Sequence, residues 1–105
     1  MAVEAAAAKS HAGWESRLAF GDALTDLGAR YPNVVALSAD TQDLLALRPF
    51  KERYADRFVE VGIAEQNIIG IAAGLATAGL APYACGYAPF LTARSMEQVR
   101  NDVAY

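Results

Sequence analysis

Asp40, Glu65, Tyr87 and Phe90 have side chains and spacings that suit shared chemistry in this 105-residue chain. Each follows a short apolar run: Asp40 after Val34-Val35-Ala36-Leu37, Glu65 after Phe58-Val59-Glu60-Val61, and the two rings after Pro82 to Cys85. If the runs are strands of one parallel sheet, all four side chains come to its carboxyl edge, where open sheets of this kind bind ligands. A carboxylate there can exchange a proton with a bound group, and a ring pair can offer a flat ligand a stacking platform.

Plainer readings stand beside these. An acid in the first turn of a helix favours the macrodipole by ~0.3–1 kcal/mol and needs no other purpose, which would explain Glu65. Asp40 can begin a turn as an Asx cap. Tyr87 and Phe90 can be core aromatics. The lone His11 reads as an exposed tail residue within an Ala-rich leader. A single cysteine, Cys85, excludes an internal disulfide and a cysteine-based metal cluster, and makes a reducing, cytoplasmic setting the default.

The elements that would position these groups follow from periodicity. Residues 1–14 form an Ala-rich extension, and the folded part runs over residues 15–105. Phe20, Leu24 and Leu27 recur at helical spacing, with Ala23 on the same face, so a helix is predicted from Ser16 to Ala29, ended by Gly28 and the Tyr31-Pro32-Asn33 turn. Val34 to Leu37 suits a strand buried on both faces. A helical or loop segment broken at Pro49 covers Asp43 to Arg57, and Phe58 to Val61 is a second strand. A helix from Ala64 to Ala78 carries the small residues Gly70, Ala72, Ala73, Gly74, Ala76 and Ala78. Each interior Gly costs ~1 kcal/mol relative to Ala, so close packing against that helix is expected. Gly79 is its C-cap. Pro82 to Cys85 is a third strand, and a last helix begins at Leu91 with Met96, Val99 and Val103 on one side.

Alternation of helix and strand predicts an α/β fold, a parallel sheet flanked by helices. Three strands make a thin sheet, and the pattern breaks off at Tyr105 without a cap, so the chain reads as a truncated domain.

Composition narrows the function. The net charge is −3 and apolar residues make up 54% of the chain, with no basic stripe to gather phosphates. A nucleic-acid binder is therefore not expected. The uncharged stretch from Gln66 to Ala93 is punctuated by Gly79, Pro82, Gly86 and Pro89, which argues against a membrane span. The leader has no apolar segment of the signal-peptide kind.

From Phe58 through Gly62-Ile63-Ala64-Glu65-Gln66-Asn67, the Gly/Ala helix and Gly79, the chain closely resembles the pyrimidine-binding domain of the transketolase family. The likeness takes in Val35 to Asp40 upstream and Phe90 to Arg94 and Glu97 to Asn101 downstream. It implies the thiamine-diphosphate-binding fold, with the cofactor between two domains. Glu65 matches the glutamate that hydrogen-bonds N1′ of the aminopyrimidine and favours its imino tautomer, while the cofactor carries the carbanion chemistry. A helix N-terminus favours the carboxylate and a water-poor cleft favours the acid, opposing pulls that suit a proton-sharing group. Tyr87 and Phe90 match the rings flanking the pyrimidine. Asp40 matches an aspartate near the thiazolium. A further aromatic position of some relatives falls at Ala93 and is not carried over. Arg94 could meet an anion or brace a subunit contact.

The resemblance also shows what is missing. The family holds the diphosphate and Mg²⁺ with a Gly-Asp-Gly motif on a separate domain, and here Gly21-Asp22 continues to Ala23. The expected partner is therefore a diphosphate-binding transketolase subunit or domain, in a homodimer or heterotetramer, with the Gly/Ala helix facing it. The expected reaction moves a two-carbon ketol unit between sugar phosphates. Alternatives are a fragment of 1-deoxyxylulose-5-phosphate synthase, a 2-oxo-acid dehydrogenase beta subunit, or a non-catalytic truncated copy. Asn67 favours the transketolase branch, because the synthases tend to carry His after the Glu-Gln pair.

Overall fold

A computed structural model describes residues 16–105; the extension with His11 lies outside the described residues. Strands β1 (Val34–Ser38), β2 (Phe58–Glu60) and β3 (Ala81–Cys85) form a sheet in the order β2-β1-β3, with both pairings parallel. Central β1 is buried along its whole length, as a continuous apolar run requires. Pro82 sits on an edge strand, where a missing N–H costs least.

Helix α1 (Ser16–Arg30) and helix α2 (Arg48–Arg53) pack with Val34 and Ala36 on one face of the sheet. Helix α3 (Glu65–Thr77) covers the other, where Ile68 meets Val35 and Leu37. Successive β1 residues thus serve opposite cores, which is the three-layer arrangement expected of this alternation.

Three expectations need correction. The buried stripe of α1 is Gly21, Leu24, Thr25 and Gly28, while Phe20 is 40% exposed and Ala23 lies in solvent. Glycines turn that stripe inward: a Cβ on Gly21 would clash with the Ala46 carbonyl oxygen, and one on Gly28 would lie 2.7 Å from Phe50 Cε2. Gly28 is therefore a contact residue rather than a stop, and the helix runs on to Arg30. Its end is held instead by Arg57, which donates to the carbonyls of Gly28, Tyr31 and Val34 and stacks over Tyr54.

The segment from Asp43 to Arg57 is divided next to Pro49, which sits in the first turn of α2, where its absent N–H has no helical partner to lose. The continuous helix expected from Leu91 is instead split. Helix α4 (Ala88–Leu91) ends where Thr92 and Ser95 hydroxyls donate to the Ala88 and Phe90 carbonyls, both at 2.7 Å. Helix α5 (Met96–Gln98) then passes into a π-helical turn, Val99–Ala104. Side-chain hydroxyls competing for backbone carbonyls explain the break. Met96 and Val103 are exposed.

Candidate active site

Because the three strands are parallel, their carboxyl ends open on one edge, and the loops after them hold the four residues singled out from sequence. Asp40 lies just beyond β1 in the left-handed region, at φ 57°. Its N–H donates to Glu60 Oε2 at 2.7 Å, and the Gly62 N–H donates to the same oxygen at 2.9 Å. Glu60 therefore ties the loop after β1 to the loop after β2. Sequence reasoning missed this brace; the available signal was an acid closing a strand two residues before a glycine. Gly62 has φ +76°, and a Cβ there would meet nothing within 4 Å, so conformation alone asks for glycine.

That turn delivers Glu65 as the first residue of α3. Ala64 at the N-cap offers no side-chain bond, so Glu65 sits in a first helical turn without a capping side chain, at the positive end of the helix. Glu65 is buried at 5% exposure. Among the described residues its charged partner is Arg94, whose Nη1 stands 3.8 Å from Oε2, beyond hydrogen-bond length, and the oxygens keep slight contact with solvent.

Tyr87 and Phe90 belong to the loop after β3 and the helix it starts. Their rings meet edge to face, with centroids 5.7 Å apart, and Tyr87 is 47% exposed. The Arg94 guanidinium stacks over Phe90, 4.0 Å from its centroid. Gln66 Nε2 donates to the Arg94 carbonyl at 3.1 Å, fixing that backbone to the start of α3. Arg94 thus joins Glu65 to Phe90, and Phe90 in turn touches Tyr87. Asp40 stands apart from it: its contact runs to Glu60.

Cys85 ends β3 beneath this edge. Burial pushes its thiol up to about 12, so it is a protonated packing group and not a nucleophile near neutral pH. Among the described residues no group of three His, Cys, Asp or Glu could hold a metal ion, and no helix is long and apolar enough to cross a membrane.

Residues 13–105 match the family described as transketolase, pyrimidine binding domain. The chain belongs to that family. It is 43% identical over 89 residues to an apulose-4-phosphate transketolase subunit of Phocaeicola vulgatus, a match covering 85% of this chain and 28% of that protein. It is 46% identical over 84 residues to the 1-deoxy-D-xylulose-5-phosphate synthase of Dictyoglomus turgidum, covering 80% of this chain and 13% of the synthase. Among solved structures, a split gene transketolase described as an inactive beta4 tetramer superposes with a TM-score of 0.78 at 41% identity, covering 87% of this chain and 30% of that one. The chain therefore spans under a third of the length of these relatives.

The residues present fit one half of a thiamine-diphosphate site. A buried carboxylate lacking a hydrogen-bond donor suits a ring nitrogen that brings a proton, and the adjoining ring pair suits a flat heterocycle.

Proposed function

We propose that this chain is the pyrimidine-binding part of a thiamine-diphosphate-dependent transketolase, a transferase that moves a two-carbon ketol unit between sugar phosphates. The observation that carries this reading is Glu65: a buried carboxylate at the mouth of a parallel sheet, with an ion contact but no hydrogen-bond donor. The cofactor would supply the electron sink for carbon–carbon cleavage. Glu65 would accept a hydrogen bond from the pyrimidine ring and share its proton. Phe90 would stack on that ring and set its tilt, and Tyr87, edge to face with Phe90, would bound the same side. Asp40, exposed on the loop braced by Glu60, would supply negative charge near the thiazolium.

The diphosphate and Mg²⁺ would be held by another subunit or domain. The outward Gly/Ala face of α3 supports a docking role, since a Cβ on Gly74 would meet nothing within 4 Å. One relative named as a subunit and one solved as a beta4 tetramer support assembly with further transketolase chains, which we take to be a homodimer or heterotetramer. A cytoplasmic setting, consistent with the free Cys85, belongs to the same proposal.

A second reading, a 1-deoxyxylulose-5-phosphate synthase fragment, is favoured by the similarity to the Dictyoglomus enzyme. Donor choice separates the two: the first predicts turnover of ketose phosphate with an aldose phosphate, the second of pyruvate with a triose phosphate. The central test combines the complete protein, its diphosphate-binding partner, thiamine diphosphate and Mg²⁺. Glu65→Gln should lower ketol transfer by ~10²–10⁴-fold with the fold unchanged by circular dichroism. Undiminished transfer would remove Glu65 from the chemistry.

A further inference from the structure

We propose that Arg94 is a displaceable counter-ion: in the free chain its guanidinium covers the Phe90 face and pairs with Glu65, and it yields both places to a planar heteroaromatic ligand. This rests on the reading of Glu65 and Phe90 as the pyrimidine-binding pair. Arg94 is then a positioning residue acting through those two.

The Glu65 side chain is only 6% exposed, and Arg94 Nη1 is 3.8 Å from its Oε2. A charge-assisted hydrogen bond would be about 2.7–2.9 Å long, so this pair attracts without using the carboxylate lone pairs. A largely buried carboxylate with little contact to water is costly, and Arg94 limits that cost until a donor arrives. Meanwhile the guanidinium carbon lies 4.0 Å from the Phe90 centroid, inside cation–π range. No second ring can stack on that side of Phe90 while the guanidinium remains.

The anchoring of Arg94 suits a swinging group. Its carbonyl is held by Gln66 Nε2 at 3.1 Å, so the backbone is fixed to the start of α3. Its side chain is 51% exposed, already half in water. Moving the head group outward needs no backbone shift and exposes little new charge. An incoming aminopyrimidine would replace both contacts, stacking on Phe90 and, with its ring nitrogen protonated, giving Glu65 a true donor. The exchange preserves a partner for the carboxylate throughout.

The test is thiamine diphosphate binding by titration calorimetry, on the complete protein assembled with its diphosphate-binding partner and Mg²⁺. Arg94→Met and Arg94→Ala should each bind ~3–10-fold tighter, because the competing conformer is gone. In a Glu65→Gln background that gain should shrink, since the guanidinium has lost its ion partner. Unchanged or weaker binding by both Arg94 variants would overturn the proposal, as would an equal gain in the Glu65→Gln background. Glu65→Gln alone tests the underlying reading. If it leaves binding and transfer intact, the site assignment fails. If it weakens them while the Arg94 variants bind no tighter, only the displacement fails.

Discussion

On one face of the sheet α1 and α2 close over β1 with Leu24, Leu47 and Phe50, all buried; on the other, α3 packs Ile68 inward and turns Gly74, Ala76 and Thr77 outward. The first face fits itself so tightly that Gly21 and Gly28 have no room for a methyl group. The second leaves open space beside Gly74, and Ile63, just before Glu65, is 78% exposed. The two faces thus differ in closure, and the open one is where the proposed partner would dock. The closed face holds the strands in register, and the open face presents Glu65 from the start of a helix that a neighbour can approach closely.

The contrast breaks most easily at Phe50. It is fully buried, touches Tyr54 edge to face at 5.2 Å, and packs under Gly28. Phe50→Ala should lower unfolding stability by ~3–5 kcal/mol, measured by urea denaturation of the assembled protein. A loss under about 1 kcal/mol would mean the closed face is not what holds the fold.

Cys85 gives the next largest effect. It belongs to the closed core, and burial raises its thiol from the ordinary 9.0 to about 12. The scarcity of the thiolate outweighs its greater intrinsic nucleophilicity, so an aromatic disulfide reagent at about pH 8 should react at least ~30-fold more slowly with folded than with denatured protein. The folded value lies above the unfolded one. The associated stability is therefore fully present below pH 9 and lost as pH rises from about 9 to about 12. The urea midpoint should fall across that window, and fall less in Cys85→Ala. Equal reaction rates for folded and denatured protein would show that the core opens there.

Much of this architecture is legible in the sequence. Val34 to Leu37 announces a doubly buried strand because a continuous apolar run has no polar face to leave in water, and the order of elements requires a parallel sheet. That places Asp40, Glu65, Tyr87 and Phe90 on one edge. The inward stripe of α1 is not legible, because hydrophobic periodicity counts Phe20 and Leu27 and gives no weight to Gly21 or Gly28. A glycine buried for closeness looks like a glycine used as a stop until its neighbour is known. Glu60 and Arg57 escape notice for a related reason. Both are charged residues whose partners are backbone groups brought near by the fold, at separations of 20 to 29 residues for the long-range bonds. Within the site, motif likeness can name Glu65 but cannot show that Arg94 reaches it across the turn after α4.

Gly21→Ala should cost ~1–3 kcal/mol in the same denaturation assay, through the clash with the Ala46 carbonyl rather than through lost helix propensity. Ala46 itself has φ 55°, so the loop it belongs to has little freedom to retreat. An unchanged midpoint would mean that α1 can shift away from the loop at Ala46.

Gly74→Ala should act in the opposite direction and more weakly. The position is helical and exposed, and a Cβ there would meet nothing within 4 Å, so the chain itself should gain up to ~1 kcal/mol from helix propensity. If α3 docks a neighbour closely, the same methyl group intrudes between the two surfaces. Sedimentation of the assembled protein should then show weaker association despite the stronger helix. The two readouts move apart only if the glycine is kept for a partner rather than for its own chain. If instead stability rises and association is untouched, the open face is ordinary surface and the division between the two faces fails on the docking side.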